Sequence, residues 1–196
     1  MNAGNLRMMA TKTLNLLGAA ALALVAVPAL AQYHSDGYTF LKAVRARDGA
    51  TVEPMVTRPN AAVINAREAS SGEGALHILV RGRDLTWLSF MLGRGARPDL
   101  QSNDGTTALG LAAQLGWREG AELLLRQGAD PNLANSRGET PLILAVQRRD
   151  LPMARLLLSR RADPDQTDNV AGYSARDYAR RDPRAAPILR EFERER

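Results

Sequence analysis

Gly72, Gly105 and Gly138 stand 33 residues apart, and each opens a matching stretch. Gly72-Glu73-Gly74-Ala75-Leu76-His77-Ile78-Leu79-Val80 aligns without a gap on Gly105-Thr106-Thr107-Ala108-Leu109-Gly110-Leu111-Ala112-Ala113 and on Gly138-Glu139-Thr140-Pro141-Leu142-Ile143-Leu144-Ala145-Val146. A second match keeps the same period: Gly95-Ala96-Arg97-Pro98-Asp99, Gly128-Ala129-Asp130-Pro131-Asn132 and Arg161-Ala162-Asp163-Pro164-Asp165. Units this short cannot bury an apolar face alone, so the period predicts a stack in which each unit is covered by its neighbours.

Within a unit the residues read as turn, short helix, turn, longer helix and loop. Asp104-Gly105 and Arg137-Gly138 suit a tight turn in which glycine takes a positive φ. Thr107 and Thr140 are placed to N-cap the first helix, and Pro141 fits its first turn. Leu109, Ala112 and Ala113 form one narrow apolar face, and Ala121, Leu124 and Leu125 repeat the spacing in the second helix. Gly95 and Gly128 fit left-handed C-caps, with Pro98, Pro131 and Pro164 preventing the helix from resuming. Arg161 takes the glycine's place in its unit, where a positive φ is expected at a cost of up to about 1 kcal/mol.

These blocks resemble the ankyrin repeat, whose first helix carries G-x-T-P-L-x-x-A and whose second is followed by G-A-D-P-N. The resemblance implies an all-α solenoid of helix-turn-helix units with hairpin-like turns, about five units including two caps. The expected boundaries are a capping repeat at 37–71, repeats at 72–104, 105–137 and 138–171, and a capping repeat at 172–196. Gly37-Tyr38-Thr39-Phe40-Leu41 opens the first, partial unit. Ser174 is the expected cap in the last, and Pro187 should kink or delay the final helix. Lys42, Arg176 and Asp177 replace apolar or neutral residues and are expected to make the outer faces compatible with water.

Residues 1–31 read as an address. They carry no acid, and Arg7 and Lys12 precede an apolar run from Leu16 to Leu30, too short for a spanning helix. Ala29-Leu30-Ala31 fits signal peptidase cleavage between Ala31 and Gln32, leaving residues 32–36 as a short segment before the array. This predicts export to the periplasm, with secretion as the second choice and no membrane span after cleavage. Removing Arg7 and Lys12 lowers the formal charge from +5 to +3 and weakens the case for nucleic acid.

Nothing in the chain points to catalysis or to a cofactor. Cysteine is absent and only His34 and His77 are histidines, which leaves little for a metal site. The chain lacks the nucleophile elbow, the HExxH pair and the Walker loop, so a non-enzyme is expected. His77 stands where the ankyrin signature has a histidine bonded to a threonine three residues earlier, but that residue here is Gly74. Trp87 reads as inter-repeat core. Trp117, in the turn where other units have Asp84 and Asp150, is expected to be more exposed and a possible partner anchor.

The resemblance also implies docking of a protein partner on the concave side, formed by turn tips and first helices. Carried onto this chain, that side holds Arg81, Asn103, Asp104, Thr106, Gln114, Trp117, Arg137, Glu139, Gln147, Arg148, Arg180 and Arg181. Of 26 basic residues only Lys12 and Lys42 are lysine, and a stripe through Arg81, Arg137, Arg148 and Arg180 would suit an acidic partner. A merely solvated charged face is the alternative for that stripe. Small exported ankyrin proteins include some thought to support periplasmic enzymes in stress defence, which makes a scaffolding role an expectation. Envelope attachment through anionic lipid or polymer, and secretion as an effector, are the competing functions.

Overall fold

The computed structural model describes residues 36–58 and 61–194. The expected signal segment, the Ala31–Gln32 cleavage pair and His34 lie outside the described residues. Helix α1 covers residues 36–46 and is followed by α2 (Gly49–Val56). The next pairs are α3 (Ala75–Arg81) with α4 (Leu85–Gly93), α5 (Ala108–Leu115) with α6 (Arg118–Arg126), and α7 (Pro141–Gln147) with α8 (Leu151–Leu158). The last pair is α9 (Ala175–Arg181) and α10 (Ala186–Arg194), joined through a 3-10 turn at Pro183–Ala185. Among the described residues no helix is long and apolar enough to cross a membrane.

The helices form two layers, as the short apolar faces require. First helices α3, α5, α7 and α9 pack side by side, and second helices α4, α6, α8 and α10 pack behind them. Equivalent positions are equally buried: Leu79, Ala112 and Ala145 in the first layer, and Met91, Leu124 and Leu157 in the second, are all fully covered. The small residues let the helices approach closely while the larger ones fill the space between layers.

Local chemistry starts and stops these helices as expected. The Thr107 hydroxyl accepts from Gly110 N–H at 3.0 Å, and that of Thr140 from Ile143 N–H at 3.2 Å. Ser174 caps α9 through Asp177 N–H at 3.2 Å. Arg161 adopts φ 65°, close to the left-handed values of its glycine counterparts Gly95 and Gly128. Pro187 falls in the first turn of α10, whose start is delayed to Ala186, and Ile188 and Phe192 are buried on its inner face.

Two features differ from expectation. Gly37 lies inside α1 rather than in a turn, because the helix is already formed at residue 36; a Cβ on it would stand 3.2 Å from that of Ala66. Arg176 is buried rather than water-facing. Its Nε and Nη2 donate to Asp165 at 2.6 and 3.1 Å, its Nη1 donates to the Phe192 carbonyl at 3.1 Å, and the guanidinium lies 5.5 Å from the Phe192 ring centre. It therefore ties α9 to α10. The turns between paired helices place Arg47, Arg83 and Arg149 at φ 59°, 50° and 60°, with Gly116 equivalent at 66°.

A left-handed non-glycine residue costs up to about 1 kcal/mol, and the side chains of these arginines all reach the following unit. Arg47 Nε donates to Asp84 at 2.6 Å, Arg83 Nη2 to the Leu115 carbonyl at 2.7 Å, and Arg149 Nε to Asp182 at 2.6 Å. The Asp182 carboxyl is held down to about 2, chiefly by the Arg149 guanidinium.

Candidate partner-binding groove

The turns that precede first helices project as fingers, and a ladder of backbone bonds fastens each to the one before. Asn103 N–H donates to the Ser71 carbonyl at 2.9 Å, Ser136 N–H to Asp104 at 2.9 Å, and Asn169 N–H to Arg137 at 2.8 Å. Glycine is required beside these bonds: a Cβ on Gly105 would lie 2.7 Å from Ser136 N, and one on Gly138 2.5 Å from Asn169 N. At the base of the fingers the side chains of Asn65, Asp99 and Asn132 accept from Arg97, Asp130 and Asp163 N–H at 2.8, 2.9 and 2.7 Å. The row of tips is thus fixed in register, unit to unit.

His77 belongs to the same scaffold. Its Nδ1 accepts from Gly74 N–H at 3.2 Å, which leaves the proton on Nε2 to donate to the Thr106 carbonyl at 2.9 Å. The threonine partner missing at Gly74 is replaced by that residue's own backbone. Burial holds the His77 imidazole below its ordinary value.

Between the fingers and the first helices of the 105–137 and 138–171 units opens a groove of about 290 Å³. It brings together seven of the residues marked in the sequence: Asp104, Thr106, Gln114, Arg137, Glu139, Gln147 and Arg148. Asn135, Ser136 and Leu144 complete it. Asn135 is a residue that pattern reading passes over, yet it shapes the finger. Its Oδ1 accepts from the N–H groups of Arg137 and Glu139 at 2.9 and 3.0 Å, and its Nδ2 donates to Glu139 at 2.9 Å. An asparagine three residues before the turn glycine is the signal that could have found it.

The other marked residues lie elsewhere. Asn103 is engaged in the ladder, with Nδ2 donating to Ser70 O at 3.0 Å and Oδ1 accepting from Arg67 at 3.2 Å. Arg81 sits one unit earlier, Arg180 and Arg181 on α9. Trp117 is buried at 6%, contrary to the expected exposure. Its ring folds back over Gly120, where any side chain would collide with it.

The arginine stripe is largely satisfied internally. Arg81 Nη2 meets Glu73 at 2.5 Å, Arg137 Nη2 meets Glu139 at 2.5 Å, Arg180 approaches Asp177 at 3.7 Å, and Arg181 lies 3.9 Å over the Tyr173 ring. Glu139 is itself buried beneath Arg137, Asn135 and Gln147, the last at 3.4 Å. The Ser102 hydroxyl, against the opposing effect of burial and aided by Thr106 N–H, keeps the Asp104 carboxyl below the usual range. Among the described residues Arg148 has no carboxylate within ion-pair distance, and its guanidinium lies over Gly116. Further along the row, burial pushes Asp168 up, but the Tyr178 hydroxyl and the Ala171, Val170 and Gly172 N–H groups hold it low. The same bond to Asp168 raises Tyr178 to about 12.

Residues 76–168 match the family model for ankyrin repeats, in three copies. That span is an array of ankyrin repeats. Ankyrin repeats are protein–protein interaction modules, which agrees with a surface of fixed tips carrying variable side chains. The ankyrin framework uses the glycines, the caps and the finger ladder; what differs from unit to unit is left to line the groove.

Proposed function

We propose that this ankyrin array is a non-catalytic docking module of the periplasm that binds a protein partner in the groove between its fingers and first helices. One observation carries the reading: among the described residues Arg148 lines the groove with no carboxylate within ion-pair distance, whereas Arg81 and Arg137 each have one. A partner carboxylate would complete that arrangement through the guanidinium fork, while Gln114, Gln147, Thr106 and Ser136 offer neutral hydrogen bonds around it. The acidic character inferred for the partner therefore narrows from a stripe to one contact.

The leader-like residues 1–31 support export, with residues 32–196 as the mature array. Holding a periplasmic enzyme or stress component in place would suit a rigid binding face with no chemistry of its own.

The test is capture from a periplasmic extract by wild type, Arg148→Glu, and Arg126→Glu, a charge change on second-layer helix α6. Wild type and Arg126→Glu should retain the same proteins and Arg148→Glu should lose them. Equal capture by all three would overturn the groove assignment. Mass analysis of the exported protein tests the location, since a chain beginning at Met1 and recovered from the cytoplasm contradicts it.

A further inference from the structure

A different groove lies on the back of the array, between the second helices α2 and α4. It holds about 240 Å³ and is lined by Gly49 and Glu53 on one side and Thr86, Trp87 and Phe90 on the other. Helix α4, LTWLSFMLG, carries no charge, and its packing against the stack is made by Leu88, Met91 and Leu92. Trp87 and Phe90 pack against the edge of that core and stay only partly buried, with their rings edge to face at 5.9 Å and 71°. The repeat does not require aromatics there, since other units have Gly120 or Met153 for Trp87 and Leu123 or Leu156 for Phe90. On the opposite wall a Cβ on Gly49 would meet nothing within 4 Å, so the space above it is open.

Of the residues lining this groove Glu53 alone is charged, with Arg94 at its edge. Glu53 is 66% exposed at its rim, and its ion pair with Arg94 is long, at 3.6 Å. Arg94 also lies 5.0 Å from the Phe90 ring centre, so this wall already accepts a guanidinium beside a carboxylate. The Trp87 side offers the stronger aromatic face for a cation, and Glu53 faces the same space. We infer that the back groove is a second binding site, which takes an arginine or lysine side chain of a protein partner, its aliphatic stem on Trp87 and its charge at Glu53. This site is independent of the finger groove, and either assignment can fail without the other.

The probe is acetyl-Gly-Arg-Gly-amide, titrated against the protein while tryptophan emission is followed. Trp117 is buried, so Trp87 is the tryptophan that responds. The expected result is a saturable change that weakens about five-fold with Glu53→Gln and with the norleucine analogue of the peptide. Equal binding of the norleucine peptide, or no effect of Glu53→Gln, would overturn the cation assignment. No saturable change at all would overturn the site. Self-association in sedimentation that Trp87→Leu abolishes would make the occupant a second copy and also overturn the proposal.

Discussion

The indole of Trp117 occupies the volume that a side chain on Gly120 would need. In the neighbouring units an aspartate stands at the Trp117 position and caps the second helix: Asp84 accepts from Trp87 N–H at 3.0 Å and Asp150 from Met153 N–H at 2.9 Å. Their helices carry bulky residues where α6 has glycine. The two positions have been exchanged as a pair. Gly120→Ala should therefore destabilise the array by about 2–3 kcal/mol through overpacking, and Trp117→Asp should relieve it in the double variant. Denaturant unfolding of the two singles and the double checks this, and additive losses would refute the coupling.

His77 gives the array a dependence on pH. Its imidazole is held neutral and below 6.5 in the folded state by burial. The unfolded chain then binds the proton first, so stability is complete above about pH 6.5 and falls as pH drops toward the lower folded value. His77→Ala should flatten that segment of the profile. It should also cost about 2–4 kcal/mol at neutral pH, because Gly74 N–H and the Thr106 carbonyl lose their partner.

Asp182 acts at the acid end. Arg149 keeps its carboxyl near 2, well under the ordinary 3.8, so the stability it contributes is present above about pH 4 and disappears as pH falls toward 2. Arg149→Met should lower the melting temperature at neutral pH and make the loss between those limits shallower. An unchanged acid profile would show that the contact does not couple α9 to the preceding unit.

Arg161→Gly should raise stability by up to about 1 kcal/mol, or about 2–4 °C in melting temperature for an array of this size. The left-handed φ of 65° is kept without the strain of a Cβ, and no groove residue is touched. Calorimetry decides it, and a lower melting temperature would mean that the arginine side chain holds the turn.

How much of this is legible before folding follows from where each constraint acts. Thr107, Thr140 and the turn glycines are readable because caps and positive φ are local demands, met within three or four residues of chain. The side on which the groove lies is readable from the ankyrin resemblance, which marks the turn tips and first helices. What Arg176, Arg137 and Glu139 do is not, since their partners come from finger geometry or from a helix sixteen residues on. The arginines at Arg47, Arg83 and Arg149 look like surface charge in one dimension and become ties between units in three. Trp117 was readable in principle: Gly120 in the column of Trp87 and Met153 marks a place kept empty for something large.

The finger ladder has the same form at every junction, an N–H from residue 103, 136 or 169 meeting a carbonyl of residue 71, 104 or 137. A unit removed or duplicated at its turn glycine therefore leaves a seam whose donor and acceptor already match. The length of the binding face is a quantity that recombination can change in whole steps, while the chemistry inside each step drifts by single substitutions. Reach and specificity can evolve separately in such a molecule.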